Sequence, residues 1–136
     1  MRKLAPMVVL LAVAHEPAWA GSSTDAIVGT WHGSSLCVDR KAAPACNDET
    51  VVYDIVATAG KKDTVTVTAD KVVDGKPLTM GVLDFTRETD GGWTTEIETP
   101  RVHVLWRLTV DGRKMTGTMA QVPSKTVVRR MALDKD

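Results

Sequence analysis

Arg101-Val102-His103-Val104-Leu105-Trp106-Arg107-Leu108-Thr109-Val110 alternates apolar with polar except at Leu105, and Asp111-Gly112-Arg113 then interrupts it. Val102, Val104, Trp106, Leu108 and Val110 fall at every second position, with Arg101, His103, Leu105, Arg107 and Thr109 between them. Period two is the period of a β-strand with one face in an apolar interior and the other in water. The Val and Trp positions are therefore expected to face inward. The interruption supplies Asp and Gly, the residue types that tolerate positive φ or cap their own backbone in a turn.

The same punctuation recurs along the chain. The breaks are the cysteine-bounded segment Cys37 to Cys46, Gly60-Lys61-Lys62-Asp63, Asp74-Gly75-Lys76-Pro77, Asp90-Gly91-Gly92, Pro100, Asp111-Gly112-Arg113 and Pro123-Ser124. Seven breaks separate eight short alternating runs. An eight-stranded meander of this length leaves no exposed edge only by closing on itself. The expected fold is all-β, an eight-stranded antiparallel up-and-down barrel.

Strand parity assigns Val51, Tyr53, Ile55 and Ala57 to the interior, together with Val65, Val67 and Ala69. Trp93, Thr95 and Ile97 follow, then Met115 and Met119. The run around residue 80 admits two registers, one with Leu78, Met80 and Val82 inward and one with Leu83 and Phe85 inward; Gly81 suggests a bulge or kink between them. The expected lining is almost wholly apolar. A barrel of eight strands either fills such an interior with side chains or holds one small ligand in it.

Arg2 and Lys3 precede an apolar run from Leu4 to Ala14, and Ala18-Trp19-Ala20 closes the segment. Residues 1–20 thus read as a secretory signal peptide, with residues 21–136 as one exported domain in the periplasm or outside the cell. No later stretch approaches the roughly 20 apolar residues of a membrane-spanning helix. Without the leader's Arg2, Lys3 and Glu16, the 17 basic and 17 acidic residues become 15 and 16. This balance argues against nucleic acid as a partner. Cys37 and Cys46 are the only cysteines, and an exported chain is expected to join them as a structural disulfide.

Signals of reaction chemistry are sparse. His32 and His103 are the candidate bases of suitable pKa beyond the leader, and both alternate with inward residues, so they are expected on the outer face. Asp39, Asp48, Glu49 and Asp54 gather acidic oxygen near the first loop, but at no spacing that matches a calcium loop. There is no phosphate loop, nucleophile elbow or His pair at metal spacing. A non-catalytic protein without metal or cofactor is expected.

Gly29-Thr30-Trp31 on the first strand and Arg129-Arg130 on the last resemble the calycin pattern shared by lipocalins and fatty-acid-binding proteins. The resemblance implies that Gly29 and Trp31 are structural, and that Arg129 or Arg130 stacks over Trp31 at the closed end of the barrel. The chain has no run suited to a C-terminal helix or to a helical lid, and in size it is closer to avidin-like barrels and to small secreted metalloprotease inhibitors. The function expected first is binding of a small apolar or amphipathic molecule inside the barrel, with Tyr53, Trp93, Trp106, Met115 and Met119 as lining candidates. The alternative is a protein-binding module, such as an inhibitor of an exported enzyme, working through the loop Val38 to Asn47 or the N-terminal arm Gly21-Ser22-Ser23-Thr24-Asp25.

Overall fold

A computed structural model describes residues 24–136, so the leader and most of the N-terminal arm lie outside the described residues. Eight strands follow one another: β1 (Gly29–Cys37), β2 (Glu49–Ala57), β3 (Thr64–Val73), β4 (Lys76–Arg87), β5 (Trp93–Glu98), β6 (His103–Asp111), β7 (Lys114–Gln121) and β8 (Val127–Lys135). Each pairs antiparallel with the next, and β8 returns to β1, closing an up-and-down barrel. No helix among the described residues is long and apolar enough to cross a membrane.

The turns behave as their residues dictate. Between β3 and β4 the two linking residues, Asp74 and Gly75, both take positive φ, at 52° and 76°. Two such residues in succession form the tight turn whose twist matches that of the strands it joins, and Asp-Gly is a favoured pair for it. This hairpin is long, and it exposes the apolar residues Val73, Leu78, Met80 and Val82.

Register resolves the ambiguous fourth strand in favour of Leu83 and Phe85. Val65 faces Phe85, Val67 faces Leu83 and Ala69 faces Gly81, after which Asp70 faces Thr79 and Met80 is left without a partner. The bulge inverts parity, which explains why two patterns compete in one run. Toward β5 the pairing is confined to Thr86 with Thr94 and Arg87 with Trp93. Upstream of that, β4 has no β5 neighbour, and Pro77, which lacks an N–H to donate, sits on this free stretch.

Two other inward assignments need correction. Val102 is exposed, because β6 begins only at His103 and the N–H of Val102 is bound to the Thr99 carbonyl and hydroxyl in a turn. Ala57 is exposed at the last position of β2.

The arginine expected over Trp31 is also corrected. Register sets Lys135 opposite Trp31 and places Arg129 opposite Cys37, six residues up β8 and so roughly 20 Å along the strand. The Lys135 ammonium lies 5.5 Å from the Trp31 ring centre and makes the cation–π contact. The Lys135 stem passes so close to Gly29 that a Cβ there would stand 2.8 Å from its Cε carbon. Gly29 leaves room for that approach, and its φ of 137° is the stronger reason for glycine. The Trp31 indole N–H donates to the Ile27 carbonyl at 2.8 Å, tying the turn before β1 across this end. Ile27, Trp31, Phe85, Trp93, Leu108, Met115 and Leu133 are all essentially buried there.

Candidate functional site

At the other end of the barrel the packing stops short. Across β2, β3 and β4 the inward neighbours are Tyr53, Ala69 and Gly81, which step from a large side chain to a methyl and then to none. The space they leave is a cavity of about 290 Å3. Its wall also includes Leu83, Ile97, Trp106 and Met119, and the bulged Met80 stands at its edge. The volume sits at the lower end of the range of small-molecule sites. Trp106 meets Tyr53 and Phe85 edge to face, with ring centres 5.5 and 5.2 Å apart, and so joins the cavity wall to the packed half below.

One side of the cavity is polar: Ser35, Glu49 and Arg129 line it. Arg129 is held from several directions. Its guanidinium donates to the Ser35 carbonyl at 3.2 Å, to the Ser35 hydroxyl at 3.0 Å and to the Asn47 carbonyl at 2.8 Å. It also faces the Glu49 carboxylate at 3.6 Å, with the two side chains only 15% and 18% exposed. Burial, assisted by the nearby Glu49 carboxylate and opposed by Arg129, pushes the Tyr53 phenol well above its usual range. Tyr53 therefore keeps its proton, and its hydroxyl is available as a donor, throughout the physiological pH range. The Trp106 indole N–H is buried and has no acceptor among the described residues. An unmet buried donor of this kind costs about 1 to 3 kcal/mol.

Cys37 and Cys46 are joined in a disulfide. The stapled loop lies against the barrel. Gln121 donates to the Ala42 carbonyl, the Cys37 N–H donates to Asp48, Asp39 accepts from the backbone of Lys41 and Ala42, and Arg40 donates to the Cys46 carbonyl. Between this loop and the turns after β5 and β7 runs a mouth-side hollow of about 680 Å3, which shares Met119 and Arg129 with the inner cavity. The stapled loop thus borders the outer hollow, and Met119 and Arg129 stand between that hollow and the inner cavity.

The five lining candidates divide between the two halves. Tyr53, Trp106 and Met119 border the cavity. Trp93 and Met115 are buried in the packed core at the other end and do not border it. Of the two arginines, Arg129 is inside and Arg130 is exposed, bordering a hollow of about 390 Å3 on the outer wall. Sequence parity does not place Ser35, Glu49 or Gly81 at the cavity: Gly81 reads as a bulge or kink, Glu49 as part of the acidic group near the first loop, and Ser35 is not singled out. Ser35 shares the parity of Trp31, and Arg129 that of Met131 and Leu133, but a register shift between Met119 and Ala120 buries Val128 as well and hides the alternation of β8.

The remaining polar candidates are spread apart. His32 is exposed and bound to the Asp136 carboxylate, whereas His103 sits at the mouth end with its ring 2.6 Å from Glu96. Of the acidic group near the first loop, Asp39 and Asp48 bind loop backbone, Asp54 accepts from the Thr30 hydroxyl and Glu49 turns into the cavity.

No protein-family model and no curated protein matches the chain. Among solved structures it is similar to the S-type phycobiliprotein lyase CPES from Guillardia theta, at 12% identity and a TM-score of 0.48, over 83% of this chain and 90% of that one. That protein is named a lyase, and the sequence's expectation of a non-catalytic protein is withdrawn and not carried further.

Proposed function

We propose that the protein binds a small, largely apolar molecule in the open half of its barrel. The observation that carries this reading is the cavity of about 290 Å3, apolar over most of its wall and polar on one side at Ser35, Glu49 and Arg129. An apolar chain or ring removed from water there gains roughly 25 cal/mol per Å2 of surface buried. The polar side orients whatever enters. At about 30 Å3 per water-sized unit, the cavity holds on the order of ten non-hydrogen atoms, with longer molecules extending toward the mouth.

Gly81 provides the test. A Cβ added there meets nothing closer than the Leu83 Cγ at 3.9 Å, so a side chain can occupy the cavity without disturbing backbone. Wild-type protein titrated with straight-chain alcohols from 1-hexanol to 1-decanol should show a saturable change in tryptophan fluorescence, because Trp106 is part of the wall. Gly81→Leu should retain the thermal midpoint and lose that response. A flat wild-type titration across all chain lengths overturns the reading, as does undiminished binding by folded Gly81→Leu protein.

A further inference from the structure

Resting on that reading, we infer that the cavity selects molecules with an uncharged head group, a hydroxyl or an amide, and that Glu49 is the residue that sets this preference. Arg129 alone would make the polar side a receptor for carboxylates, since a buried guanidinium with free donors is the usual partner of a bidentate acid. It does not stand alone. Glu49 faces it at 3.6 Å inside the same cavity wall, with both side chains largely withdrawn from water. The pair is charge-compensated, and register explains its position: Glu49 is opposite Ser35 on β1, while Arg129 reaches the Ser35 carbonyl and hydroxyl from β8.

An anionic head group would bring a second negative charge to Glu49 in a site with little water to screen it. A cationic one would meet Arg129 in the same way. A hydroxyl or amide can instead donate to the Glu49 carboxylate and accept from Arg129 or from the protonated Tyr53 phenol, leaving no charge unpaired. The wall therefore offers an acceptor and donors side by side, which suits a group that is both. Removing the Glu49 charge should free Arg129 to pair with an acid, while its bonds to Ser35 and Asn47 still hold it in position.

The test compares 1-octanol with octanoate at neutral pH, chosen because they share a chain and differ in head-group charge, with dissociation constants read by tryptophan fluorescence. Wild-type protein should bind the alcohol at least about tenfold more tightly than the acid, the size of effect expected from one close charge pair. Glu49→Gln should reverse the order, and Glu49→Asp should keep the wild-type preference. Equal or tighter binding of octanoate by the wild type overturns the inference even if Glu49→Gln fails to fold. An unchanged alcohol preference in folded Glu49→Gln protein also overturns it. If the wild type binds both ligands equally, only the head-group inference falls; if it binds neither, the proposed function falls with it.

Discussion

The two halves of the barrel are built from the same strands to opposite ends. Below Trp106, facing strands contribute Trp31, Phe85, Trp93, Leu108 and Met115, and the turn before β1 adds Ile27 as a plug; all are essentially fully buried. Above it, Ala69 and Gly81 stand side by side on β3 and β4, and the space next to Tyr53 is empty. Pairing follows the same division. β4 holds β5 at the packed end, through Thr86 and Arg87, and lets go of it at the open end. A closed barrel thus keeps its stability and its opening in different places, and side-chain volume at two neighbouring positions is enough to separate them.

The division implies unequal responses to mutation. Phe85→Ala in the packed half should cost about 3 to 5 kcal/mol, since both the lost transfer and the new void are uncompensated. Leu83→Ala, two residues along the same strand at the cavity wall, should cost no more than about 2 kcal/mol, because that side chain is only partly buried. Chemical denaturation measures both, and equal losses would mean that the halves do not differ in packing.

A smaller effect separates the mouth from the base. Replacing both cysteines by serine releases a loop closed over a separation of 9 residues and should lower stability by about 2.5 to 3 kcal/mol in the chain-entropy model. Affinity for 1-octanol should fall as well, because Asn47, the residue after Cys46, holds Arg129 at the cavity. Unchanged affinity with reduced stability would show that the loop supports the barrel without shaping its opening.

The smallest effect is expected on the exterior of the packed end. Hydrogen bonds from Arg107 and from the Gly92 N–H lower the Asp90 carboxyl below its ordinary 3.8. A carboxyl lowered in the folded state contributes stability that is present above its unfolded pKa and disappears as pH falls through the folded value. Asp90→Asn should therefore differ slightly from wild type near neutral pH and converge with it in strong acid, as followed by thermal midpoints across pH. Because Asp90 is on the surface, a large shift at neutral pH would contradict this account.

Much of this was legible in the residues. The turns, the eight alternating runs, the cysteine pair and the inward parity of Tyr53, Trp106 and Met119 depend on local chain geometry, and period two is visible wherever strands are regular. Parity failed at Val102, which belongs to a turn although its spacing matches β6, and at Ala57, exposed at the end of β2. It could not decide at two further places, where a bulge at Met80 inverts β4 and where the shift beside Ala120 buries Val128 next to an inward Arg129.

What the sequence by itself determined is the closed barrel, its staple and the identity of most inward side chains. Only the tertiary structure decided that Lys135 rather than an arginine covers Trp31, that Ala69 and Gly81 are neighbours, and that Glu49 meets Arg129 across the cavity. The physical reason is that a void or a charge pair in a barrel depends on which residues of different strands lie abreast. That is a matter of register, set by bulges and by closure, and no single strand's pattern contains it.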